Sequence, residues 1–167
     1  MNSILKKETA IYGLGRILGS SISFFLFPFY THALTSTGEY GVVQIVVAFI
    51  AFSNIIFLFG FDGALMKYYV SSKKGIEKQT YLTNTDVWIL CFSLVLLLLL
   101  IAFKEVLAIY IIAGNDSSLI VKIAFILFFD ALRAIHMLIL RAENRAVHFT
   151  LIMVADIFLL TSLNIYF

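Results

Sequence analysis

Residues 87–103 read VWILCFSLVLLLLLIAF, a run without a single charged side chain. A helix needs about 20 mostly apolar residues to cross the hydrocarbon of a bilayer, so this run reads as a membrane span. Working outward, similar stretches occupy residues 41–61 and 119–140, and two more occupy 11–34 and 147–167. Composition agrees with a lipid solvent. Hydrophobic residues make up 62% of the chain, charged residues 13%, and the mean hydropathy is +1.01. A soluble domain carries about twice that charged fraction. The predicted fold class is therefore all-α: a polytopic membrane helix bundle of about five transmembrane helices, with residues 1–167 forming a single transmembrane region.

The connections are short. Thr35 to Glu39 form the first turn, a longer polar stretch covers 71–79, and Gly114 to Ser118 and Arg141 to Arg145 form the last two. Loops of this length make consecutive helices antiparallel neighbours. Lysine and arginine then set the orientation, because cytoplasmic loops collect them. With the N-terminus in the cytoplasm, the inner side holds Lys6, Lys7, Lys67, Lys73, Lys74, Lys78, Arg141 and Arg145, against Lys104 and Lys122 outside. That imbalance places the N-terminus inside. The start of the chain is not a cleavable signal, since Lys6 and Lys7 lead into a long apolar stretch with no small-residue cleavage pattern. Cys91 is the single cysteine, so no intrachain disulfide forms. A net charge of +2 without a long basic run argues against nucleic acid as a partner.

Ionisable groups at membrane depth cost about 3 kcal/mol each on insertion scales, so they direct the search for function. Span 119–140 is the most informative. At about 100° per residue, Lys122, Asp130, Arg133 and His136 share roughly a third of its circumference. Such a stripe faces either the protein interior or a watery cavity, although an Asp130–Arg133 pair could also serve only to join helices. In span 11–34, Arg16 sits one turn inside the start and its stem is long enough to snorkel to the headgroups. Gly15, Gly19 and Ser23 form a row of small residues suited to close helix packing. Pro28 is expected to kink or break that helix. Asp156 lies mid-span in 147–167 with no basic residue within one turn, which makes it a candidate ion-coupling site. Asp62, beside Gly60 and Gly63, reads as a boundary residue capping a short helix over 64–70, with a structural or gating role.

Nothing in the chain resembles an enzyme site. His32, His136 and His148 are too scattered for a metal, and neither a phosphate-binding loop nor a nucleophile elbow is present. Neither a catalytic role nor a metal or cofactor is expected.

Several short motifs, in order, carry a family resemblance. They are Phe27-Pro28-Phe29-Tyr30, Ala33-Leu34, Glu39-Tyr40-Gly41-Val42, and Phe59-Gly60-Phe61-Asp62-Gly63-Ala64-Leu65 leading into Lys67-Tyr68-Tyr69; a last one is Leu140-Arg141-Ala142-Glu143-Asn144. The chain so resembles the N-terminal part of the polysaccharide (O-antigen or capsule repeat-unit, Wzx-type) flippases of the multidrug/oligosaccharidyl-lipid/polysaccharide exporter superfamily. The resemblance implies two six-helix bundles around a central cavity in the bacterial cytoplasmic (inner) membrane. It implies that an oligosaccharide on a polyprenyl diphosphate is flipped from the cytoplasmic to the outer leaflet for surface polysaccharide, including lipopolysaccharide. By that analogy Arg16 and Arg133 face the substrate, with Asp130 and Lys122 beside them, since arginine matches phosphate geometry. Partners are then the lipid-linked oligosaccharide, membrane lipids, and the other half of the transporter or polysaccharide assembly enzymes. Such flippases have about twelve or more helices, so a chain with five is expected to be incomplete. Two alternatives stand beside this reading. One is a multidrug or organic-cation exporter of the related branch, using Asp130 and Asp156. The other is a small, non-transporting oligomeric membrane protein that associates through Gly15, Gly19 and Ser23.

Overall fold

A computed structural model of the chain describes residues 37–72, 75–112 and 117–166. Every regular element among them is helical. In order they are α1 (Thr37–Leu58), α2 (Phe61–Ser71), α3 (Gly75–Ala102), α4 (Lys104–Leu107), a π-helical turn (Ala108–Ile112), α5 (Ser117–Ala142) and α6 (Ala146–Tyr166). Among the described residues three segments are long and apolar enough to cross a membrane, namely Tyr40–Leu58, Gly75–Ala102 and Ser117–Ala142, and α6 carries a shorter apolar stretch, Ala146–Leu159. The chain is a multi-pass membrane protein. The span over 11–34, with Arg16, Pro28 and the Gly15, Gly19, Ser23 row, lies outside the described residues.

Gly38–Ile139 form one compact unit, and Leu140–Phe167 belong to a second. In the first, the chain breaks after α1 at two residues with positive φ, Phe59 at 47° and Gly60 at 77°. Gly60 is the residue before α2, and its carbonyl accepts the first α2 bond from the Ala64 amide at 3.2 Å. Asp62 therefore does not cap a helix over 64–70. It lies exposed in the first turn of α2, where a carboxylate meets the positive end of the helix dipole.

A second departure concerns the polar stretch 71–79, expected to be a loop. Helix α2 runs to Ser71, and α3 already begins at Gly75. Glu77, Lys78 and Gln79 are good helix formers, and their polarity reports contact with water without reporting an irregular backbone. The paired positions run in opposite order along the two strands of helix. Tyr69 lies by Lys78, Tyr68 stacks on Tyr81, and Phe59 meets Phe92. Helix α2 and the break before it thus run antiparallel to α3.

The core of this unit is made by Phe57, Ile89, Ile120, Leu127 and Ile135, each at most 2% exposed. Ser93 and Ala124 and Ala131 are fully buried too. Lipid removes the hydrophobic drive between helices, and small residues answer by letting backbones approach and dispersion act. The Ser93 hydroxyl donates to the Leu90 carbonyl at 3.3 Å, so no polar atom of that side chain goes unmet. Between α1, α3 and α4 a cavity of about 290 Å³ is walled by residues including Phe49, Phe52, Phe57, Leu99 and Phe103.

In the second unit, α5 closes on a tight cap. Asn144 takes φ 55°, its amide donates to the Arg141 carbonyl at 3.1 Å, and the Arg145 amide donates to the Leu140 carbonyl at 2.9 Å. These two bonds satisfy carbonyls the helix end leaves open, and they constitute a Schellman cap with asparagine at the left-handed position. The Arg145 Nε meets Glu143 Oε2 at 2.9 Å across the turn. The expected connection over 141–145 shrinks to this turn.

Candidate functional site

Helix α5 has two faces of different chemistry. Ile120, Ile123, Ala124, Leu127, Ala131 and Ile135 are buried, and their three- and four-residue spacing keeps them on one side. Lys122, Asp130, Arg133 and His136 lie on the opposite side, with Ile126 and Phe129 between them. Of these, Lys122, Arg133 and His136 are exposed and Asp130 is half-buried. The stripe predicted from the sequence is therefore present, on the side of α5 opposite its buried residues.

Arg133 Nη2 lies 3.4 Å from Asp130 Oδ1, one turn away. An exposed pair at this spacing adds only about 0.3–0.5 kcal/mol in water. Such a bond occupies one of five guanidinium N–H donors. A planar fork of donors suits the oxygens of a phosphate as it does those of a carboxylate.

The structure adds Asp86, which sequence reading placed just outside span 87–103. On α3, its Oδ2 lies 3.8 Å from His136 Nε2 on α5. The other ring nitrogen, Nδ1, lies 3.1 Å from the Leu132 carbonyl. A carbonyl only accepts, so Nδ1 is the donor there and Nε2 faces the Asp86 carboxyl. The α5 stripe thus carries the Asp130–Arg133 pair and, separately, His136 facing Asp86 of α3, with Lys122 further along the same face. What could have revealed Asp86 is its place ahead of Val87, one residue from the apolar run; the polar sequence preceding it masked the continuing helix.

The remaining candidates lie on other elements. Asp156 is half-buried on α6, in the other unit, and is not free of partners. Asp62 belongs to α2. Among the described residues no group of three or more His, Cys, Asp and Glu could hold a metal ion.

Residues 33–166 match the model of a family described as polysaccharide biosynthesis protein. No curated protein and no solved structure matches the chain.

Proposed function

Because the chain belongs to the polysaccharide biosynthesis protein family, we propose that it is part of a transporter that flips lipid-linked oligosaccharide across the bacterial cytoplasmic membrane. The supporting observation is the charged stripe of α5, set opposite that helix's buried face. In a span this apolar, each charge left among lipid tails costs about 3 kcal/mol, so the stripe is kept for water or for a polar ligand. Arg133 is the diphosphate contact in this reading, because its planar guanidinium matches the geometry of phosphate oxygens. Lys122 adds positive charge, and Asp130 holds the guanidinium in place. By the family resemblance Arg16 is a further expected substrate contact, Pro28 and Asp62 have an expected structural or gating role, and Asp156 is the expected ion-coupling carboxyl.

Export of surface polysaccharide from cells carrying the natural gene product tests this. Arg133→Ala and Arg16→Ala should each abolish it while the protein stays in the membrane, and Arg133→Lys should keep a part. Lipid-linked oligosaccharide should accumulate on the cytoplasmic leaflet in the alanine variants. Normal surface polysaccharide in both would overturn the reading. Efflux of an organic cation that is lost in Asp130→Asn and kept in Arg133→Ala would favour an organic-cation exporter instead, since a cation needs the carboxylate and not the guanidinium.

A further inference from the structure

Helix α3 is longer than a bilayer is thick. Its 28 residues extend about 42 Å at 1.5 Å each, against about 30 Å of hydrocarbon. Its unbroken apolar run lies after Asp86, so the excess of about 12 Å is the first turns, from Gly75 onward. There Thr80 and Thr85 turn their hydroxyls back onto the Ile76 and Tyr81 carbonyls at 2.9 and 2.8 Å. Helix α2 packs along this projecting end through Leu65 and Tyr69, both buried. The two form a helical hairpin at the level where the hydrocarbon gives way to headgroups.

Its surface has an unusual mixture for a water-facing loop. Lys78 Nζ sits 5.2 Å from the centroid of the Tyr69 ring, and Lys67 Nζ sits 5.8 Å from that of Tyr68. Tyr68 in turn stacks on Tyr81 at 5.8 Å, and both rings are exposed. Beside them Val70 is 58% and Ile76 82% exposed. Tyrosines concentrate where one end of the ring is wet and the other apolar. A lysine laid over a ring keeps its stem on apolar surface and its ammonium donors outward. Bare valine and isoleucine complete a face that suits the boundary of headgroup and acyl chain better than bulk water.

We propose that this hairpin is a docking surface for the anionic phosphate headgroups of the leaflet it meets, with Lys67 and Lys78 as the charged contacts and Tyr68, Tyr81, Val70 and Ile76 as the interfacial ones. Charge is disposed for it. Asp62 lies at the far end of α2, Asp86 is taken up by His136, and Glu77 is itself engaged. Anionic lipid attracts each nearby lysine by about 1 kcal/mol, a factor of about five in occupancy, and the attraction is screened by salt.

Amide hydrogen exchange on the full chain in lipid nanodiscs tests the proposal. In phosphatidylcholine mixed with phosphatidylglycerol, exchange over 64–81 should be several-fold slower than in phosphatidylcholine alone, while 117–142 stays the same. High salt should erase the difference. The Lys67→Gln/Lys78→Gln variant should lose it, and Lys67→Arg/Lys78→Arg should keep it. Equal exchange of the unaltered protein in the two lipids overturns the proposal, and this comparison does not depend on any variant folding. A lipid difference that survives in the glutamine variant overturns the role of the two lysines. Protection restored by inorganic phosphate in phosphatidylcholine alone would show a soluble anion as the ligand and overturn the lipid surface.

Discussion

Phe59 holds a φ of 47°, in a region that costs an ordinary L-residue roughly 1–2 kcal/mol. Its ring, 5.0 Å from that of Phe92 and 6.4 Å from that of Phe61, is what offsets the cost. The next residue shows the backbone term alone. Gly60 has φ 77°, and a Cβ added there would meet nothing within 4 Å. Gly60→Ala should therefore destabilise by about 1 kcal/mol through backbone conformation only. Chemical unfolding of the purified protein in detergent measures it, and an unchanged midpoint would show that the break tolerates a right-handed residue. Asn144 offers the reverse experiment at the end of α5. Glycine is the easiest residue at a left-handed cap, so Asn144→Gly should leave the thermal midpoint as it is or raise it. Asn144→Ala should cost about 1 kcal/mol, as the same αL angle then carries a Cβ with no local hydrogen bond in return.

At the scale of the element, α5 shows what periodicity can and cannot disclose. Its charged stripe was legible because Lys122, Asp130, Arg133 and His136 recur with the helix period on an apolar background. Its buried face was not, since Ile, Leu, Phe and Ala look alike whether they meet lipid or protein. Hydropathy separates water from oil, and to an apolar side chain lipid and protein interior are both oil. For the same reason the ends of the spans were read where polarity changes. Helix α3 continues past that change to Gly75, and Asp86 was lost from the site with it. The two-faced packing has a test of its own. Ala131 is fully buried, so Ala131→Leu should overpack the contact and cost about 1–3 kcal/mol. Phe125 is 45% exposed, and Phe125→Leu should stay within about 0.5 kcal/mol. Equal effects on the unfolding midpoint would mean that α5 packs through a different face.

For the whole molecule the question is what lies over the stripe. Lipid tails do not, because the combined cost of its charged groups would rival the stability of the protein itself. Two arrangements remain: a water-filled path that a phosphate-bearing substrate can enter, or a dry contact in which another helix meets the charges. Chemistry at the stripe distinguishes them without removing a single charge. Ile126 is 48% and Phe129 63% exposed, both on the stripe side, whereas Leu98 is 58% exposed on the apolar part of α3. Cys91, the sole native cysteine, is first replaced by serine. Ile126→Cys and Phe129→Cys should then react quickly with a charged, water-soluble thiol reagent in intact membranes, and Leu98→Cys should react slowly. A thiol is modified as its thiolate, which forms only where water reaches, so the rate reports wetting. Lipid-linked oligosaccharide added to the membranes should slow the two stripe positions and leave Leu98→Cys unaffected. Slow reaction at all three would make the stripe a helix-to-helix contact; Arg133 would then be a structural residue, and the substrate path would have to run elsewhere.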